Sequence, residues 1–183
     1  MAIETMIGRI GQAIDFTNRK DLYFVLGKDT DWADSDTPDP EDVNTTMIQN
    51  PLALVKVDQM VLCYPTDEQV TTSAEDGDNF IVYKGKRWNV VGADNLFDAS
   101  GAPTVPASYV CVIGSLDVAS LPMFSFCQVG LVGNAKIADN APSQHEATLA
   151  NVTSWGNLYF YENRIMEKFT DSMRLKIKYM VKF

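Results

Sequence analysis

The sequence predicts a mainly β fold, α+β only at its margins, in which antiparallel, β-sandwich-like sheets carry long loops and one short N-terminal helix. Two stretches carry that prediction. From Arg174 onward, Leu175, Ile177, Tyr179, Val181 and Phe183 alternate with Lys176, Lys178 and Lys182. Successive strand side chains point to opposite faces, so one face is apolar and wants a core, while the other wants water or acidic neighbours. Earlier, Phe80-Ile81-Val82-Tyr83 and Arg87-Trp88-Asn89-Val90-Val91 flank Lys84-Gly85-Lys86. That is a hairpin, because Gly85 supplies the positive φ of a tight turn.

The other elements follow in chain order. Glu4 to Ile14 reads as a short helix with Ile3, Met6, Ile7, Ile10 and Ile14 near one face, weakened by Gly8 and Gly11. Leu22 to Leu26 is a buried strand, ended by Gly27 and an acidic loop containing Pro38 and Pro40. Leu52 to Val57 is apolar and compatible with helix or strand; Met60 to Tyr64 reads as strand, and Thr66 to Asp78 as a polar loop. Asp94 to Pro106 is a second loop. Tyr109 to Ile113 and Phe124 to Val132 are strands around a Leu121-Pro122 turn, and Gly133 to Trp155 is a third loop. The chain closes with Leu158 to Tyr161, a connection from Glu162 to Ser172, and the terminal strand.

With 183 residues, 46% hydrophobic and 21% charged, the chain suffices for one ordinary core and is short for two. No repeat or linker marks a boundary. The expectation is one domain, 1–183, with loops protruding at about 29–50, 65–79, 93–107 and 133–156. No apolar run is long enough to cross a membrane, and Met1 to Thr5 lacks a signal-peptide pattern, so a soluble protein made in the cytoplasm is expected. Cys63, Cys111 and Cys127 are odd in number, far apart and set among apolar residues, which predicts buried thiols rather than disulfides.

Charge is distributed unevenly. Formal net charge is −9, yet Glu162 to Phe183 holds six basic against three acidic residues. The acid is concentrated from Asp29 to Asp42, where seven of fourteen residues are Asp or Glu and none is basic. Such asymmetry suits partner docking, or it satisfies the chain's own electrostatics. Nucleic acid is an unfavourable partner, since an acidic domain must overcome phosphate repulsion.

The inventory offers little chemistry. His145 is the single histidine and lies in a Pro/Ser/Gln/Glu loop, so neither any catalytic triad nor a three-histidine metal site is expected, and a surface-loop role is. Asp29 to Asp36 fails the EF-hand template, with Ala33 where an oxygen ligand belongs and Asp34 where glycine belongs. No phosphate-binding or dinucleotide motif appears. Neither a metal nor another cofactor is expected. A glycosidase would need two singled-out carboxylates, and none stands above the others.

Three segments resemble the T4-type baseplate wedge proteins of contractile-tailed phages. Leu22 to Lys28 followed by Thr30-Asp31-Trp32 and a Pro/Asp run is similar to their opening; Ser108 to Val112, Leu121-Pro122 and Phe126-Cys127-Gln128-Val129-Gly130-Leu131 to their middle strands; Gly156 to Arg164 and Ile177 to Phe183 to their close. Cys127 stands where the family usually has arginine. The resemblance implies a virion structural protein of tail or baseplate, without cofactor or catalysis, assembled in the host cytoplasm. It joins other tail proteins, as a dimer or other homo-oligomer. A neck or fibre-attachment adaptor is the alternative, and a lytic enzyme the third. Interface candidates are Trp32, Asp34, Asp36, Asp39, Trp155, Tyr161 and Arg164. The competing role for the tryptophans and the tyrosine is core packing, and for Glu162-Asn163-Arg164 internal pairing at a strand end.

Overall fold

The computed structural model describes residues 3–70, 75–116, 121–170 and 175–183. About half the chain is strand and a tenth helix, with antiparallel sheets, as the alternation predicts. In order, the elements are α1 (Met6–Thr17), β1 (Leu22–Gly27), β2 (Pro51–Lys56), β3 (Gln59–Gln69), β4 (Phe80–Tyr83), β5 (Lys86–Val90), β6 (Tyr109–Leu116), β7 (Phe124–Gly133), β8 (Lys136–Ile137), β9 (Glu146–Thr148), β10 (Val152–Ser154), β11 (Asn157–Phe169) and β12 (Leu175–Lys182). They form two compact units: Met1–Arg19, Gln59–Ile113 and Lys178–Phe183 make the first, Lys20–Asp58 and Gly114–Ile177 the second.

In the first unit, Thr5 caps α1, its hydroxyl accepting the Gly8 N–H at 3.2 Å. The helix runs past the expected end at Ile14 and buries Ile10, Ala13 and Phe16. The sequence placed Ile3, Met6 and Ile7 with that inner face, but they are exposed; Phe16, beyond the predicted end, is buried instead, its ring 5.2 Å from that of Phe183 and tilted 50° to it. The sheet order is β12-β6-β3-β5-β4. Its core is Cys63, Ile81, Cys111 and Ile113, packed by Trp88, Tyr109 and Met180. The hairpin forms as predicted, Tyr83 pairing Lys86 across a two-residue turn with Lys84 at φ 49° and Gly85 at 73°.

Thr66 to Gln69, expected in a loop, instead prolong β3. Pro65 is tolerated there because pairing with β6 has already ended at Cys63, and the register with β5 shifts between Pro65 and Gln69. Positions 71–74 of the expected loop lie outside the described residues. In β12, Ile177, Tyr179 and Val181 are buried, as the alternation requires; Arg174 lies outside the described residues. On its other face, Lys178 meets an acidic neighbour, Asp76, at 2.6 Å, and also donates to the Val82 carbonyl at 3.0 Å.

The second unit carries a sheet in the order β11-β7-β1-β2-β9. β1 is central, Val25 pairing Leu54 on one side and Gly130 on the other, which explains its unbroken apolar run. Val25, Ile48, Leu54, Val132, Ile137 and Ala147 form the core. Two expectations change here. The segment Gly133 to Trp155 is not all loop: β9 joins the sheet beside β2, and β10 pairs β8. These strands are too short to display alternation. Likewise Glu162 to Phe169 continue β11, thirteen residues long with two register irregularities against β7. Its polar side chains serve another segment of the same unit, and so escape the half-apolar strand pattern.

Candidate functional site

Every predicted interface residue except Trp155 lies on or against one structure: the segment between β1 and β2, which leaves the sheet at Lys28 (φ 55°) and returns at Pro51. Although this segment is acidic and mostly exposed, its backbone is tied to β7 and β11 at successive points, making it a strap. The Cys127 N–H donates to the Lys28 carbonyl at 3.0 Å, and its thiol to the carbonyls of Lys28 and Thr30 at 3.2 and 3.3 Å. The small thiol at this position thus sits directly under the strap. Trp32, 6% exposed, donates its indole N–H to the Arg164 carbonyl at 2.7 Å, and the Lys28 ammonium lies 4.5 Å from its ring centre.

Asn163 is the hub. Its side-chain amide donates to the Asp39 carbonyl at 2.8 Å, and its main-chain N–H to Glu41 Oε1 at 3.1 Å. Its oxygen accepts from Gln128 Nε2 at 2.8 Å, while Gln128 Oε1 accepts the Gln49 N–H at 2.8 Å. Gln128 is 3% exposed, so one buried amide ties β7, β11 and the strap's return together. Tyr161 holds the middle. Its hydroxyl bonds the Asp42 N–H, donates to the Asp42 carbonyl at 3.1 Å and accepts from Thr45 Oγ1 at 3.0 Å.

The remaining candidates separate. The Arg164 guanidinium pairs with Glu162 and Glu167, each at 3.2 Å. Asp34 accepts the Asp36 N–H at 3.1 Å, and Asp34, Asp36 and Asp39 are exposed. Trp155 packs against the core containing Val25 and Ile48 and walls a small pocket with Met47 and Leu158. The sequence named Asn163 only as the middle of Glu162-Asn163-Arg164 and Gln128 only within Phe126 to Leu131, and gave neither a role as hub; an amide inside that apolar strand was the available signal, since a buried amide must find partners.

Elsewhere the candidates for chemistry are engaged in packing or hydrogen bonds. The three cysteines are buried and free, and burial, helped by Cys111, pushes the Cys63 thiol up to about 12, far from a reactive thiolate. His145 is not a bare loop side chain: its Nε2 lies 2.6 Å from Asp58 Oδ1, and Ser115 Oγ donates to Asp58 Oδ2 at 2.5 Å. Here the carboxylate stands between hydroxyl and imidazole, whereas an activated serine needs the imidazole in the middle. Among the described residues no group of three or more His, Cys, Asp or Glu is placed to hold a metal ion, and no helix is long and apolar enough to cross a membrane.

A family model described as "Baseplate wedge 3 tail fiber network component" matches residues 1–183. The chain belongs to that family. It is also 26% identical to Virion protein 3 of Enterococcus phage phiEF24C over 183 residues, covering 99% of this chain and 94% of that protein. The chain is therefore a structural part of the phage tail or baseplate, located in the virion and in contact with other tail and baseplate proteins. The strap and β11, built from the first and last segments that resembled wedge proteins, lie within the match.

Proposed function

We propose that this wedge component is a non-catalytic connector whose strap presents a pre-arranged acidic surface to its neighbours, and that the whole chain, 1–183, acts as one structural piece. One observation carries the reading: an exposed loop rich in carboxylates is anchored by Trp32, Asn163 and Tyr161 while leaving Asp34, Asp36 and Asp39 in solvent. Holding such a loop in one conformation cuts the ordering cost of binding, a benefit that a solvated cap would not need. The fibre-attachment alternative gains from the family description, which couples the wedge to a tail fiber network. On this reading the chain also associates with itself as a dimer or other homo-oligomer and is assembled in the host cytoplasm.

The non-catalytic part of the reading is supported by the thiol burial and by the order Ser115, Asp58, His145. The test is direct. Purified chain is incubated with peptidoglycan and with capsular polysaccharide, its mass is measured by light scattering, and its place is found in a density map of intact tails. Turnover of either polymer, or density outside the baseplate, overturns the proposal; a monomer at every concentration overturns its oligomeric part.

A further inference from the structure

The strap changes character along its length. Seven carboxylates occupy Asp29 to Asp42, whereas beyond them Val43 is 97% and Met47 57% exposed. Thr46, Met47 and Ile48 wall an open pocket together with Pro51, Trp155 and Leu158, about 30 Å³ in volume. That is about two to three times what one enclosed water needs, and the walls are mainly apolar, so the space takes the end of an apolar side chain. Tyr161 joins the two halves. Its hydroxyl fixes Asp42 and Thr45, and its ring packs on the same core as Trp155 and Leu158. The acidic stretch and the apolar pocket are thereby held in fixed register.

We infer that the pocket and its acidic border are a docking surface for a basic segment of another virion protein, one that seats a small apolar side chain in the pocket and sets Lys or Arg against the strap carboxylates. The inference rests on the connector reading above. Charge complementarity selects the partner: Asp29 to Asp42 holds seven carboxylates and no basic residue, and the one ammonium beside it, Lys28, is engaged over the Trp32 ring, so an acidic segment meets mainly repulsion. A second copy of this chain, at −9, is disfavoured, because within its basic stretch Arg164 is already paired with Glu162 and Glu167 and Lys178 with Asp76. The apolar contact supplies what exposed charges alone do not, since rim ion pairs gain strength only where water is displaced around a seated anchor.

The experiment places the photo-cross-linking residue p-benzoylphenylalanine at Met47, and separately at Met123, in infected cells, and maps cross-links in purified particles by mass spectrometry. Met123 is equally open, 67% exposed, but precedes the far end of β7 from Val132. The expected result is a cross-link from position 47 to one peptide of a different virion protein, with an apolar residue flanked by Lys or Arg, and none to that peptide from position 123. A link to another copy, a link to a peptide without basic residues, or no link from a chain that is present in the particles overturns the inference. Absence of the wild-type chain from particles would instead sink the connector reading. Should only the position-47 analogue be excluded, Met47→Lys and Met47→Leu decide: lysine should cut incorporation at least about tenfold while leucine and Met123→Lys do not, and wild-type incorporation of Met47→Lys refutes the site.

Discussion

Asn163→Ala, on β11, should be the most damaging polar substitution among the anchors of the strap. Removing the amide deprives Gln128 Nε2 of its acceptor, on a side chain only 3% exposed; an unsatisfied buried donor costs about 1–3 kcal/mol. The Asp39 carbonyl also loses its donor, but Asp39 is exposed and water replaces much of that bond, adding roughly 0.5 kcal/mol. The main-chain bond from Asn163 to Glu41 is untouched. The total is about 1.5–3.5 kcal/mol, or a fall in Tm of about 3–14 °C for a chain of this size. Urea denaturation followed by tryptophan fluorescence measures the loss, and amide exchange at Asp42 and Thr45 tests whether the strap itself has loosened. A loss under about 0.5 kcal/mol with unchanged exchange at both amides would refute the argument that Asn163 holds the strap.

Three further outcomes are expected. Replacing Asp34, Asp36 and Asp39 by Asn keeps the acceptor that caps Asp36 and should leave Tm nearly unchanged, while assembly slows at low salt and not at high salt; identical assembly at every ionic strength would reduce the acidic stretch to a solvated cap. For Asp58, burial acts to raise the carboxyl, but the Ser115 and His145 hydrogen bonds outweigh it and hold the group below the usual range. A depressed native value stabilises above the unfolded pKa of about 3.9 and that contribution disappears as pH falls through the native value, so the stability gap between wild type and Asp58→Asn should be full near neutrality and close in acid titration. Gly85→Ala, at φ 73° beside Lys84 at 49°, should cost about 1 kcal/mol in denaturant titration, and no loss would mean that the turn has another geometry.

What the sequence disclosed followed the reach of local rules. The hairpin at Lys84-Gly85 and the alternation of β12 were legible because a turn residue and a period of two are properties of adjacent positions. β9 was hidden: Glu146, Ala147 and Thr148 become a strand by pairing with β2, some ninety residues away. The length of β11 was hidden for a related reason, since Glu162, Asn163 and Arg164 satisfy their polar groups against the strap and one another rather than against water. At the site, residue type identified Trp32, Tyr161 and Arg164 as notable, and the pairing reading of Glu162-Asn163-Arg164 holds for the side chains of Glu162 and Arg164. The joining of Asp39 to Asn163 across 124 positions leaves no local trace.

The strap also bears on how such a chain behaves when crowded. β11 is the border strand of its sheet, with β7 as its neighbour, and a border strand of thirteen residues is a template onto which a stray strand can add. Trp32 and Glu41 occupy the Arg164 carbonyl and the Asn163 N–H where pairing with β7 breaks register, and carboxylates line the approach. Folded chains that meet at high concentration are thus kept from zippering edge to edge, and a strap loosened at its anchors would express itself first as aggregation of folded protein rather than as unfolding.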